Sequence, residues 1–240
     1  MTAWQWYQNP KTQLWYRTRP DDWLLWNRIG QDGGRGYQVQ LQDWVRNYFK
    51  NRSARKAIDV GANMGITALE YAQIFESVEA FEPVADVYDQ LQQVITKNCV
   101  TNTQIHCQAL ANSTGTAKML YRPNNSFASG LNAKGNETVQ TSTLDSYQFQ
   151  TVDFIKIDVE GTETAVITGG WQTISHQLPL IQFEYKPKLA RRYGYDIDHT
   201  VCEPLQQIGY RIEDKKGLPY SQSQQSDLFA IPPQFNARVS

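Results

Sequence analysis

The sequence has no long apolar run and very little cysteine. No segment holds about 18 consecutive apolar residues, the length at which a membrane-spanning helix becomes a candidate. Its three cysteines, Cys99, Cys107 and Cys202, are odd in number and lack CxxC spacing, so neither a disulfide framework nor a zinc site is indicated. The start, MTAWQWYQNP, has neither the basic nor the apolar region of a signal peptide. We therefore expect a cytoplasmic protein with no membrane partner.

An excess of one charge is also missing. The 240 residues carry a formal net charge of −1, and the pI is about 6.3, so no global basic field is available to hold nucleic acid. Four cations lie between Lys50 and Lys56, but a local cluster of this kind is typical of a solvated helix end. The length suits one large α/β domain with a full core.

The segment DVGANMG, residues 59–65, predicts a strand, a glycine turn and a helix in succession. A short apolar run precedes it, and apolar residues recur at helical spacing after it. We expect Gly61 and Gly65 to lack Cβ atoms because the backbone must turn there and approach a ligand. The start of the following helix would offer N–H groups to a carboxylate or a phosphate. This pattern indicates a nucleotide-cofactor site.

The dinucleotide fingerprint GxGxxG is absent, because the turn reads GxxxG with an acid, Asp59, two residues before its first glycine. A second acid, Glu82, ends the next predicted strand, 23 residues after Asp59. A carboxylate at that strand end is placed to bind both hydroxyls of a ribose. The glycine turn with its two acids is a stronger signal than the glycine spacing alone.

Four segments in this order, DVGANMG, AFEP, TLDSY and DFIKIDVEGTE, resemble the FkbM-type family of S-adenosylmethionine-dependent methyltransferases. The resemblance covers about residues 56–185. It implies a doubly wound, Rossmann-like α/β fold with a seven-stranded sheet, S-adenosylmethionine as cofactor, and methyl transfer, usually to oxygen. It also places Gln108 and Ala109 beside the adenine. The predicted cofactor-binding residues are Asp59, Gly61, Ala62, Asn63, Gly65, Glu82, Pro83, Gln108, Ala109 and Asp158.

Acids also end the fourth and fifth predicted strands, 152–158 and 178–185. We predict Asp158, Glu160 and Glu184 as catalytic residues, because parallel strands bring their carboxyl ends to one edge of the sheet. Glu160 and Glu184 are candidate general bases, and Asp158 would face the positive centre of the cofactor. The three carboxylates could also bind Mg²⁺, although no spacing demands a metal and no metal ligand is assigned.

Residues 1–50 predict an aromatic-rich arm followed by a packing helix, and residues 51–240 the methyltransferase domain. Six of the seven tryptophans lie before residue 45, and a hairpin with its turn at residues 9–11 is expected. The arm is either a lid or sugar-stacking wall over the site, or a docking segment that buries its rings against the domain or a second subunit. The second alternative is favoured, and it allows a homo-oligomer.

The segment 122–136 is rich in turn formers and lies between two predicted strands, 116–121 and 138–141. It is either part of the acceptor site or a surface loop. The candidate contacts to an acceptor hydroxyl are Asn124, Asn125, Ser126 and Ser129. A third strand of the main sheet is expected over residues 104–110.

The predicted function is S-adenosylmethionine-dependent O-methylation of a hydroxyl on a sugar-like or other small-molecule acceptor. An NAD-dependent oxidoreductase remains an alternative, but GxGxxG is missing. A methyltransferase of nucleic acid or protein is a further alternative, and no acidic or Asn-Pro-Pro-aromatic motif of amino-methylation is present. A non-catalytic binding module is disfavoured because the predicted cofactor residues are intact.

Overall fold

The computed structural model describes residues 4–10, 12–19, 39–123, 125, 129–131, 134–221 and 226–235. Its strands are β1 (Gln5–Gln8), β2 (Trp15–Thr18), β3 (Lys56–Val60), β4 (Ser77–Phe81), β5 (Thr103–His106), β6 (Ala109–Leu110), β7 (Gly115–Leu120), β8 (Gly130–Leu131), β9 (Glu137–Ser142), β10 (Val152–Ile157), β11 (Leu180–Tyr185), β12 (Arg211–Asp214) and β13 (Ser226–Ile231). Its helices are α1 (Val39–Phe49), α2 (Ile66–Tyr71), α3 (Ala85–Lys97), α4 (Glu163–Gly169), α5 (Trp171–Gln177), α6 (Pro187–Ala190) and α7 (Glu203–Gln207).

The central sheet has seven strands in the order β12-β13-β11-β10-β3-β4-β5. The five strands from β11 to β5 are parallel, and β13 runs antiparallel to both of its neighbours. From β3 the chain adds strands first on one side and then on the other. The switch between the two directions lies between β3 and β10, and ligands of open α/β sheets bind at such a point. The predicted α/β fold with a seven-stranded sheet is confirmed.

Both faces of this sheet are covered, because successive buried side chains of β10 pack on opposite faces. Phe154 packs on the α1 side, where its ring lies 6.2 Å from that of Phe49. Ile155 points to the opposite face and belongs to the core that α4 and α5 complete. A parallel sheet buried on both faces reads as a nearly continuous apolar strand, which is why the sequence pattern of β10 is informative. Within the described residues, no helix has the length and apolar composition that crossing a membrane requires.

The prediction of one strand over residues 104–110 is wrong. Strand β5 ends at His106, opposite Phe81, the last residue of β4. The chain then leaves the central sheet. Ala109 pairs with Thr141 in a second sheet, of order β6-β9-β7-β8. The two strands predicted around residues 116–121 and 138–141 are β7 and β9, and they form an antiparallel pair in this sheet.

The predicted N-terminal hairpin is present, with β1 and β2 paired antiparallel. It docks on α3: the Trp15 N–H donates to Asn98 Oδ1 at 2.8 Å, and Asn98 Nδ2 donates back to the Trp15 carbonyl at 2.7 Å. Tyr16 is buried, and Arg19 pairs with Asp86 at 2.6 Å. The hairpin therefore buries part of its aromatic content against the domain. Trp23 and Trp26 lie outside the described residues.

Candidate active site

The glycine turn after β3 forms one wall of the site. Gly61 and Gly65 have φ angles of +82° and +83°, and Asn63 has one of +49°. A Cβ on Gly61 would lie 2.1 Å from the Asp158 carbonyl oxygen, and one on Gly65 would lie 2.5 Å from Leu91 Cδ1. The expected turn is therefore present, and a side chain at either position would meet the protein itself. That the two glycines also leave room for a ligand stays a prediction.

A cavity of about 940 Å³, including space open to solvent, lies at the carboxyl ends of β3, β4 and β10. Eight of the predicted cofactor-binding residues line it: Gly61, Ala62, Asn63, Glu82, Pro83, Gln108, Ala109 and Asp158. Asp59 and Gly65 are not part of its lining. The structure thus brings most of the predicted residues together around one space.

Glu82 lies at the end of β4 and is held by the backbone on both sides. Its Oε2 accepts from the Asn63 N–H at 3.0 Å and its Oε1 from the Val84 N–H at 2.9 Å. Burial raises the pKa of Glu82 to about 7, although the two backbone hydrogen bonds act in the opposite direction. Each oxygen retains a lone pair for another donor. The carboxyl group is therefore fixed in place and suited to accept hydrogen bonds from a ligand in the cavity.

Asp59 takes part in a buried network below the cavity. It is 0% exposed, and its two oxygens accept from Lys156 Nζ at 3.2 Å and from Thr67 Oγ1 at 2.6 Å. Lys156 also lies 3.5 Å from Asp158 Oδ2, and it lines the cavity. The side chain that reaches the cavity from this network is therefore the lysine rather than the predicted aspartate.

The predicted catalytic acids do converge. Asp158, Glu160 and Glu184 each offer a carboxylate oxygen within 4.8 Å of the others. Asp158 and Glu160 line the cavity, whereas Glu184 does not. Glu160 has a φ of +55°, an unusual backbone conformation for a residue with a side chain. The following residue, Gly161, also has a positive φ, and Gly130 of β8 packs against Glu160. The acids thus form one cluster of which two members face the cavity.

Lys186 supplies positive charge to this cluster. Its ammonium lies 2.7 Å from Glu184 Oε1 and 3.2 Å from Glu160 Oε2. Burial and the negative charges of Asp158 and Glu160 raise the pKa of Glu184 above its usual range, and the contact with Lys186 opposes them. The ammonium of Lys186 therefore already contacts two of the three carboxylates that a metal ion would need as ligands.

The segment around residues 122–136 contributes to the lining in part. Ser129 lines the cavity, and its Oγ accepts from the Arg122 N–H at 3.1 Å. The Asn125 N–H donates to the Arg122 carbonyl at 3.0 Å. Asn124 and Ser126, also predicted as acceptor contacts, lie outside the described residues.

The sequence model of the methyltransferase FkbM domain matches residues 59–216, more than half of the chain. The chain belongs to the FkbM methyltransferase family. The resemblance seen in the sequence is thereby confirmed.

The fold of this chain is similar to that of a solved FkbM methyltransferase. An FkbM methyltransferase from Methylobacillus flagellatus KT superposes with a TM-score of 0.52 at 19% identity, over 88% of this chain and 58% of that chain. The chain thus spans a little over half the length of that relative. An rRNA methylase from Streptococcus thermophilus gives a TM-score of 0.44 at 11% identity, over 80% of this chain and 92% of that chain. A putative methyltransferase from Streptococcus mutans in complex with SAH gives 0.47 at 9% identity, over 78% and 94%. A comparison with curated proteins found no match.

Sequence reasoning missed several residues of the FkbM methyltransferase site. Lys156 lies two residues before Asp158, and Lys186 two residues after Glu184. The period of two along a strand was a signal for Lys156, because it places that side chain on the face that carries Asp158. The wall formed by Met119, Tyr121 and Leu131 of the second sheet had no comparable signal, since it depends on how that sheet packs.

Proposed function

We propose that the protein is an S-adenosylmethionine-dependent O-methyltransferase that acts on a hydroxyl of a sugar-like or other small-molecule acceptor. The observation that supports this proposal is the position of Asp158 and Glu160 in the lining of the same cavity that holds Glu82 and the glycine turn. A cofactor site and a pair of acids thus share one space, in a chain whose family consists of methyltransferases.

The residues of the cavity fit this cofactor. Glu82 has both oxygens oriented by backbone N–H groups and would accept from the ribose hydroxyls. Gln108 and Ala109 would lie beside the adenine. Asp158 would face the positive centre, and a carboxylate there stabilises a cationic ligand. When bound, the cofactor supplies a methyl group on a sulfonium.

Glu160 is the proposed general base. It lines the cavity, whereas Glu184 lies outside the lining and makes its contact with Lys186. The backbone conformation of Glu160 is of the strained kind that is common at functional sites. Lys186 contacts one of its oxygens at 3.2 Å and thereby fixes the carboxylate. Glu160 would remove the proton from the acceptor hydroxyl, and the cavity would hold the reacting atoms in line.

The charge at the cavity edge favours an uncharged acceptor. Four carboxylates, Asp59, Asp158, Glu160 and Glu184, are balanced here by two ammonium groups: Lys186 contacts Glu160 and Glu184, and Lys156 lies 3.2 Å from Asp59 and 3.5 Å from Asp158. Carboxyl groups therefore outnumber cations. An acceptor that carries phosphate or carboxylate beside the reacting hydroxyl would be repelled. A neutral polyol meets no such cost, and its hydroxyls can donate to the carboxylates.

Two measurements test the proposal. Calorimetry should show S-adenosylmethionine binding to the wild type, and Glu82→Ala should weaken it at least about tenfold, since hydrogen bonds to a charged group contribute roughly 1.5–3 kcal/mol each.

Once a screen of hydroxyl compounds with labelled methyl donor yields an acceptor, Glu160→Gln should lower turnover about 10²–10⁴-fold and leave cofactor affinity nearly unchanged. Lys188→Met, at a residue of α6 that is absent from the cavity lining, is the control. Tighter binding of NAD than of S-adenosylmethionine would refute the cofactor, and full turnover of Glu160→Gln would refute the base.

A further inference from the structure

Lys156 brings a buried positive charge to a cavity that is otherwise acidic. Among the described residues of the lining, Lys156 carries a cationic side chain, whereas Glu82, Asp158 and Glu160 are acids. Lys156 is 3% exposed and lies in β10, next to Asp59 of β3 in the strand register. A lysine is rarely buried to this extent unless it is paired. Its presence in the cavity wall therefore calls for an explanation.

The surroundings hold the ammonium of Lys156 in place. Asp59 accepts a hydrogen bond from it at 3.2 Å, and Thr67 of α2 fixes the other oxygen of that aspartate at 2.6 Å. Asp158, the residue that follows β10, lies 3.5 Å away. Because Asp59 is 0% exposed and does not line the cavity, its contribution to the site is the orientation of Lys156.

We propose that Lys156 binds the α-carboxylate of the methionine moiety of the cofactor. This inference rests on the proposed function, because it takes S-adenosylmethionine as the ligand. That molecule carries one anionic group, the carboxylate, and two cationic ones, the ammonium and the sulfonium. A carboxylate that gives up water for contact with a cavity wall gains from an opposite charge there. Lys156 provides that charge, and Asp158 remains for the cationic groups.

The helix that follows the glycine turn does not serve this purpose. Helix α2 has six residues, Ile66–Tyr71, too few for a large dipole at its N-terminus. In this proposal the anion is bound by Lys156, which reaches the same cavity from the neighbouring strand, and not by the helix end that the sequence suggested.

The test compares two ligands that differ in the carboxylate alone. They are S-adenosylhomocysteine and its amine analogue, in which hydrogen replaces the carboxylate and the ammonium is kept. Calorimetry on the wild type should show about 10- to 100-fold tighter binding of S-adenosylhomocysteine, the effect expected of a charge-assisted hydrogen bond. In Asp59→Asn/Lys156→Met, compared with Asp59→Asn alone, this preference should fall to about threefold or less. The double change keeps the buried pair uncharged, so that no aspartate is left alone in the core.

Lys56→Met is the matched control. Lys56 lies on β3, its ammonium contacts Glu79 at 2.8 Å, and it is absent from the cavity lining, so its loss should leave the preference unchanged. If the double variant shows the same preference as Asp59→Asn, because both ligands lose affinity equally, then Lys156 does not hold the carboxylate. If the double variant does not fold by circular dichroism, the wild type decides, since equal affinity for the two ligands overturns the proposal. A wild type that binds neither S-adenosylhomocysteine nor S-adenosylmethionine refutes the proposed function as well.

Discussion

Gly61 and Gly194 have the same backbone conformation in different surroundings. Both have a φ of +82°, a left-handed conformation that disfavours any residue with a Cβ. At Gly194 an added Cβ would have no atom within 4 Å, whereas at Gly61 it would lie 2.1 Å from the Asp158 carbonyl oxygen. The pair therefore separates the effect of backbone strain from that of a steric clash.

We expect Gly194→Ala to lower the free energy of unfolding by about 1–2 kcal/mol, the penalty of the left-handed conformation. Gly61→Ala should lower it by at least about 2 kcal/mol more, because β3 and β10 must separate to admit the Cβ. Urea unfolding followed by circular dichroism measures both. Equal losses would show that the turn after β3 has room for a side chain, contrary to the structure.

Single residues of the site could be predicted from the sequence where they follow a strand. Glu82, Asp158 and Glu160 were found because strand ends of a parallel sheet meet at one edge. The sequence assigned Asp59 to the cofactor and did not identify Lys156. In the structure Lys156 lies beside Asp59 in the strand register and donates a hydrogen bond to one of its oxygens. Spacing along one strand does not reveal which residue of the neighbouring strand lies opposite, so the pairing became visible only in the folded sheet.

At the scale of elements, Asn98 joins the N-terminal hairpin to α3. Its side chain accepts from the Trp15 N–H and donates to the carbonyls of Trp15 and Val94. Loss of one side of such a contact leaves the backbone groups of the other side without partners, which costs about 1–3 kcal/mol. Asn98, which the sequence did not single out, thus adds its contacts to those of Tyr16 and the Arg19–Asp86 pair in docking the hairpin.

Asn98→Ala should therefore loosen the hairpin while the domain stays folded. Hydrogen exchange of residues 12–19 should become faster by about tenfold or more, with little change in the strands of the central sheet. Thr96→Ala is the control on the same helix, since Thr96 bonds to the Gln92 carbonyl and does not reach the hairpin. Equal protection of the hairpin in Asn98→Ala and in the wild type would mean that Tyr16 and the Arg19–Asp86 pair suffice to hold it.

The bounds of an element could be predicted where they follow from a local sequence pattern. They could not be predicted where pairing with another strand sets the end of the element. The helix after β4 covers Ala85–Lys97, and its apolar residues recur on one face, a local pattern that the sequence itself contains. The strand expected over 104–110 is divided between two sheets, because β4 ends opposite His106. Strand ends depend on the length of the partner strand, which a single segment of sequence does not contain.

At the scale of the whole molecule, buried carboxyl groups make stability depend on pH. Burial raises the pKa of both Glu82 and Glu163 to about 7, and it raises that of Glu184 as well. A carboxyl group with a higher pKa in the folded state binds more protons when folded than when unfolded. The free energy of unfolding should then decrease as the pH rises from about 4.5, the unfolded value, through the folded values.

We expect the free energy of unfolding of the ligand-free protein to fall by roughly 2–5 kcal/mol between pH 5 and pH 8. Urea titrations across this range provide the measurement. Glu163→Gln should reduce the slope, because Glu163 is 1% exposed and its amide replacement does not ionise. Stability that is constant or increases over this range would show that these carboxyl groups are already ionised in the folded protein at pH 5.

The position of β13 between β11 and β12 has a consequence for synthesis on the ribosome. β12 comes first in the chain, but it pairs with β13 and not with β11. A nascent chain that has emerged only as far as residue 221 therefore carries five parallel strands, an open edge along β11 and a β12 segment with no place in the sheet. Open edges of this kind recruit other strands, so translation up to β13 is the interval in which the growing chain most needs protection by a chaperone.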